Sequence, residues 1–386
     1  MQKRHTIVAM IVLISLFISG CASGASGSEL NEEGQIGIIT NAPTQSYVSI
    51  YAEKLEEQSK KSGTPLVINA NWPENFHHEQ EQVQQIILDM LGDPKINALI
   101  LHTINPAAGR AIEEAATLRT DFFSVGCVAA DDDAITASQV DLVLSLDRTT
   151  MGSIAVEQAN RMCAKTFVYY YLPIAHNVPF GIYKPVDLQQ FEVTQQTCAD
   201  FGVDFIPVAI PQGIGLEPNL ADFFAKDIPE KVAEYGADTA FYSNKCASQP
   251  PMLAHVIEQG AIYPLPCCPS PYHGVSQTLG IEINEDSYGD YEDIHLQVSK
   301  LLAEQDAGGR LASFMVDYID LELRAAYEYA VKWLHGEVSG EGTDLQVLQE
   351  IMEDIAGTTC RMRYFEEDGI IYDNYILYSP EPYIIE

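Results

Sequence analysis

The chain has 386 residues, 47% of them hydrophobic, with 55 acidic side chains against 21 basic ones. Such a length and apolar content suit two cores or two lobes. The acidic excess excludes a nucleic-acid surface, which needs a basic footprint, and it slows the capture of anionic solutes.

The predicted elements begin with an export signal over residues 1–20. Lys3, Arg4 and His5 precede an apolar run from Ile7 to Ile18, shorter than the ~20 residues a bilayer span takes. Ile18-Ser19-Gly20-Cys21 resembles the bacterial lipobox. That resemblance implies a diacylglycerol on the Cys21 thiol and cleavage just before it. Residues 21–34 then read as a flexible tether, because Ser, Gly and Ala dominate from Ala22 to Ser28. The expected location is the cell membrane, lipid-anchored, facing the periplasm or the cell exterior.

Short apolar runs alternate with helical patterns from Gln35 onward. The runs are "IGIIT", "LVINAN", "NALILHT", "FFSVGCV" and "DLVLSLD". Each is rich in Val, Ile or Leu, as parallel strands buried on both faces are. The helical stretches between them include "EQVQQIILDMLG", whose Val83, Ile86, Ile87, Met90 and Leu91 share one face. Residues 35–148 are therefore expected to form a first lobe. The pattern restarts after Asp147 with a helix from Met151 and runs "TFVYYYLP", "DFIPVAIP", "TAFYSN" and "AIYPLP". Residues 149–275 are expected to form a second lobe. Residues 276–386 complete the lobes, with a long helix over 317–334 and a closing hairpin from Cys360. The fold class is α/β: two doubly wound parallel-sheet lobes on a hinge, with hinge strands near Asp147 and Tyr272.

In open parallel sheets, ligands bind beyond the carboxyl ends of the strands. The residues there are polar or aromatic and seldom charged, which suits a neutral or zwitterionic polar solute. The candidate ligand-binding residues are Asn41, Gln45, His102, Asn105, Asp147, Arg148, His176, Asn244 and Ser270. Asp147 carries two readings: an acceptor for the solute, or a cap for the helix near Met151 that pairs with a neighbouring cation. No catalytic motif is found, neither G-x-S-x-G nor P-loop nor H-E-x-x-H, so no enzyme and no cofactor are expected.

The lipobox, tether and two lobes resemble a substrate-binding lipoprotein of an ABC importer, of the type I (ribose- and galactose-binding) superfamily. "IGIITNAPTQSYVSIYAEKLEE" is similar to its opening strand, loop and helix, "LVLSLDRTTMGSIAVEQANRM" to its first crossing, and "TAFYSNK" to a strand ending in a ligand-contacting Asn. With "GGRLASF" and "DNYILY", the chain looks closer still to clostridial-type lipoproteins known only as a domain of unknown function. The resemblance implies an ABC permease as partner, a monomer, and solute contacts at Asn41, Gln45, His102, Asp147 and Asn244. Sugar binders usually carry an Asp after the strand matching "AIYPLP"; Cys267 and Cys268 stand there instead, which weighs against a sugar. A ligand sensor without transport is an alternative.

Beyond Cys21 the cysteines are Cys127, Cys163, Cys198, Cys246, Cys267, Cys268 and Cys360, an odd number. At least one is therefore not paired within the chain. Cys127, Cys246, Cys267 and Cys268 follow strands, with His102, His176 and His273 in the same loops. A thiol/His metal or cofactor capture site is thus a rival reading. Against it stand the lack of a C-x-x-C pair and the poor chelation expected of adjacent cysteines. A disulfide from Cys246 to Cys267 or Cys268 is a further possibility.

Overall fold

The computed structural model describes residues 34–41, 47–62, 66–76, 78–129, 133–172, 185–211, 219–339 and 342–386. Gln45, His176 and residues 1–33, where an export signal, Cys21 and most of a tether were expected, lie outside the described residues. Among those residues no helix is long and apolar enough to cross a membrane.

The first lobe opens with five strands, β1 (Gln35–Thr40), β2 (Val67–Asn71), β3 (Ile96–Ile104), β4 (Phe123–Ala129) and β5 (Leu142–Leu146). Between them run α1 (Val48–Ser62), α2 (Gln80–Leu91), α3 (Pro106–Leu118) and α4 (Asp133–Gln139). All neighbouring pairs among the five strands are parallel, with Ile38 level with Ile100 and Ile100 with Val125. The near-continuous apolar strands follow from burial on both faces. One face packs on α2 and α3 through Val83, Ile87, Ala108 and Ile112. Asn105 starts α3: its side chain accepts from the Ala108 amide at 2.9 Å, and Pro106 takes the first helical position.

After β5 the chain crosses to the second lobe. There α5 (Thr150–Arg161), β6 (Thr166–Tyr171), α6 (Pro185–Phe201), β7 (Asp204–Ala209), α7 (Asn219–Tyr235) and β8 (Thr239–Ser243) form a parallel sheet in the order β7-β6-β8. Pro207 is tolerated in β7 because that strand is an edge. The "AIYPLP" run shrinks to single bridges at Ile262 and Tyr263; Pro264 and Pro266 lack the amide hydrogens that would extend it. Helices α8 (Gln249–Glu258), α9 (Val275–Leu279) and α10 (Tyr291–Ala303) and the short β9 (Leu311–Ser313) complete the lobe. Ile294, Val298 and Leu302 of α10 sit in its core.

The second crossing therefore lies at 314–317, not near Tyr272, and residues 276–313 belong to the second lobe. β9 is three residues long, too short to leave a periodic trace in the sequence. The chain then builds α11 (Tyr318–Leu334), α12 (Leu345–Ala356), β10 (Cys360–Glu367) and β11 (Ile370–Pro380) on the first lobe. The β10–β11 hairpin extends that sheet to the order β10-β11-β5-β4-β3-β1-β2, with β11 parallel to β5. Helices α1, α11 and α12 cover its other face. A third crossing delivers β12 (Tyr383–Ile385) to pair antiparallel with β9.

Candidate functional site

The polar residues that follow first-lobe strands are mostly engaged by the fold. Asp147 is 4% exposed. Its Oδ1 accepts from the Thr150 amide at 3.0 Å and its Oδ2 from the Thr150 hydroxyl at 2.6 Å. Arg363 of β10 donates from Nε to the same Oδ2, also at 2.6 Å. The carboxylate thus pins the start of α5 to the hairpin at the first crossing, which is the cap-and-pair reading rather than the solute-acceptor one. Asn105 is used as the α3 cap, and its Nδ2 donates to the Phe76 carbonyl at 3.2 Å. His102 is 6% exposed, and burial lowers its imidazole to about 4, so the ring is neutral. Its carbonyl accepts from Trp72 Nε1 at 2.9 Å. Asn41 is half-buried at the end of β1.

The second lobe differs. A pocket of about 250 Å³ opens at the carboxyl ends of β6 and β8, lined by Tyr169, Tyr171, Phe191, Asp187, Asn244 and Lys245. Lys245 Nζ stands 2.9 Å from Asp187 Oδ2, Arg148 approaches the other oxygen at 3.8 Å, and Asn244 Nδ2 donates to Oδ1 at 3.3 Å. Opposite charges and aromatic rings therefore converge where Asn244 and Arg148 were expected. Asp187 and the tyrosines were not singled out in the sequence; Lys245 stood there only beside Asn244 in "TAFYSNK". "TFVYYYLP" carried a signal for the tyrosines, whereas Asp187 sits in a helix far from any strand end in sequence.

Beside the pocket, Cys246, Cys267, Cys268 and His273 converge, with all four donor atoms within 4.8 Å of one another. Cys246 lies in the turn after β8. Cys267 and Cys268 lie in a loop punctuated by Pro266, Pro269 and Pro271, where consecutive bends turn both side chains the same way; alternation would hold only in a strand. Gly274 follows His273 at φ 75°, a left-handed conformation that glycine alone adopts freely, and a Cβ there would stand 2.7 Å from Gln249 Cβ. Cys127 is not part of the cluster: it is fully buried in the first-lobe core. Hydrogen bonding from Cys267 pulls the Cys246 thiol down, while hydrogen bonding to Cys246 pushes Cys268 up to about 12.

Tyrosines close the space between the lobes. Tyr47 stacks on Tyr288 at 4.9 Å, and Tyr272 meets Tyr288 edge-on at 5.3 Å. Tyr47 is near enough to the thiols that burial, then Asp317, then Cys268 all push its hydroxyl up. Ser270 accepts from the Tyr272 amide at 3.2 Å and lies beside the buried Asp317, whose carboxyl burial raises to about 6.

Residues 35–312 match the family described as a protein of unknown function, DUF3798. An uncharacterized protein of Treponema pallidum (strain Nichols) is 24% identical over 178 residues, 46% of this chain and 80% of that one. A crystal structure described as a transcriptional regulator from Clostridium difficile 630 superposes with a TM-score of 0.83 at 18% identity, over 92% of this chain and 99% of that chain. A sugar ABC transporter structure from Actinomyces odontolyticus ATCC 17982 gives a TM-score of 0.52 at 11% identity, over 81% and 86% of the two chains. At such identities the likeness is one of fold, a two-lobed α/β fold like that of the type I periplasmic binding proteins.

Proposed function

The chain belongs to the DUF3798 family, and from that premise we propose that it is an extracytoplasmic solute-binding lipoprotein, held at the membrane through Cys21 and serving an ABC importer. The observation that carries the reading is the second-lobe pocket at the carboxyl ends of β6 and β8, which sets Asp187 against Lys245 between aromatic walls. A zwitterionic or neutral polar solute fits that chemistry: an amine replaces Lys245 on Asp187, a carboxylate meets Lys245 and Arg148, and the tyrosines cover its apolar part. A volume of about 250 Å³ suits a solute the size of an amino-acid derivative or a monosaccharide. The solute is bound and released unchanged, and the lobes close on it about the crossings at 147–149 and 314–317.

Mass spectrometry of the solute that copurifies with the protein, followed by calorimetry with the pure compound, tests this. Binding in a one-to-one ratio, with a smaller radius of gyration by X-ray scattering, is the expected result. A full panel of polar solutes that leaves both unchanged contradicts it. The anchor is checked separately: Cys21→Ala should abolish palmitate labelling, and equal labelling of the two forms would remove Cys21 from the account.

A further inference from the structure

We propose that Cys246, Cys267, Cys268 and His273 bind one thiophilic divalent ion of the zinc class at the second-lobe wall of the interlobe space. Distances carry the argument. Donors placed about 2.3 Å from a common centre, the Zn–S bond length, stand about 3.8 Å apart along the edges of a tetrahedron. The sulfur of Cys246 is 3.7 Å from that of Cys267 and 3.8 Å from that of Cys268, and Cys267 and Cys268 are 3.8 Å apart. A Zn–N bond of about 2.0–2.1 Å shortens the mixed edge to roughly 3.5 Å; Cys267 Sγ and His273 Nε2 are 3.4 Å apart.

Other occupants fit less well. A disulfide would need two sulfurs about 2.05 Å apart, and here three stand nearly equidistant. A multi-iron cluster needs thiolates spread around several metal atoms, whereas these donors all lie within 4.8 Å. Hard cations prefer oxygen ligands, and the set has none. Three thiolates and one imidazole form a closed zinc set. Each ligand thiol gives up its proton to water as its bond to the ion forms. The formal charge of −34 on the chain draws cations toward it.

The ion has a mechanical consequence. Cys246 belongs to the turn after β8, and Cys267, Cys268 and His273 to the loop before α9. One ion therefore ties the two loops that frame this side of the pocket, next to Asn244 and Lys245. The site does not depend on the identity of the solute, nor on there being one.

The test uses the full chain, purified with a thiol reductant, stripped with a chelator and titrated with Co²⁺, then Zn²⁺. One Co²⁺ per chain should be taken up, with thiolate-to-cobalt charge transfer and the visible bands of tetrahedral coordination, and Zn²⁺ should displace it. The double variant Cys246→Ser/Cys268→Ser should lose the bands, while the exposed Cys163→Ser should keep them. If the double variant does not fold, His273→Ala, which keeps all three thiols, should change the bands and raise the midpoint of the Co²⁺ titration. No tetrahedral spectrum from the reduced wild type overturns the proposal. So do bands that survive unchanged in both variants, or a disulfide among these cysteines in protein taken directly from cells.

Discussion

Polar residues follow strands in both lobes, and among the described residues the fold treats them differently. In the first lobe Asp147 and Asn105 spend their hydrogen bonds on helix starts, a hairpin arginine and neighbouring backbone. In the second lobe Asp187, Lys245, Asn244 and the three thiols gather beside an opening. A polar residue after a strand is thus ambiguous until its partners are known, because capping and binding call on the same side chains. Under the proposed function, stability falls to the first lobe and recognition to the second. Substitutions in the first should appear in melting curves, and those in the second in titrations.

The largest expected effect lies at Glu322 of α11. It is fully buried, its Oε1 accepts from the Tyr378 hydroxyl at 2.7 Å, and burial raises its carboxyl to about 8. Between its unfolded value near 4.5 and about 8, the native state holds a proton that the unfolded state has lost. The stabilisation is full below the lower value and disappears as pH rises through the upper one. Glu322→Gln should therefore melt higher than wild type near pH 8, by on the order of 4 kcal/mol, and converge with it near pH 4. Parallel melting curves across that range would place this charge outside the first-lobe scheme.

Next comes Asp147→Ala. It removes a charge-assisted hydrogen bond from Arg363 and a cap on Thr150, a loss of about 3 kcal/mol in unfolding free energy. Solute affinity should hardly change; if calorimetry shows a large fall in affinity with an intact melting point, the first lobe recognises after all. Asp187→Asn reverses the pattern. Losing a charged partner should weaken solute binding by roughly 10- to 150-fold, with a smaller change in melting. The smallest effect is expected at Arg148→Ala. Its side chain is 49% exposed and 3.8 Å from Asp187, so stability should shift by less than about 0.5 kcal/mol. A larger drop would mean that Arg148 belongs to the framework at the crossing.

Much of this architecture is legible in the sequence, for physical reasons that also mark the limits. The strands β1, β3, β4, β5 and β6 are largely buried on both faces, so "NALILHT" and "TFVYYYLP" carry near-continuous apolar or aromatic runs. The hairpin was visible as alternation after Cys360, and β11 sends Ile376 and Tyr378 into the core under α11 and α12 and Tyr375 into the opposite one under α2 and α3. The second crossing left no such trace, because the "LAS" strand is too brief to show a period. The thiols were visible singly as residues after strands. Their meeting was open as a rival reading, but joint chelation by Cys267 and Cys268 was not expected, because adjacent cysteines on an extended chain point apart and only the proline-bent loop brings both to one side. His273 joins them through the turn at Gly274, a long-range fact that spacing alone does not encode.

The pairing of β12 with β9 has a bearing on timing. Residues 383–385 supply the strand that covers β9, and residues 318–380 supply two helices and two strands of the first lobe. A chain emerging from its N-terminal end completes the first-lobe sheet only with residues 360–380 and the second lobe only with residues 383–385. The growing polypeptide therefore spends much of its synthesis without a completed lobe, with unpaired strand edges open to chaperones. Fusions or truncations at the C-terminal end would act on the second lobe, far from where the cut is made in sequence.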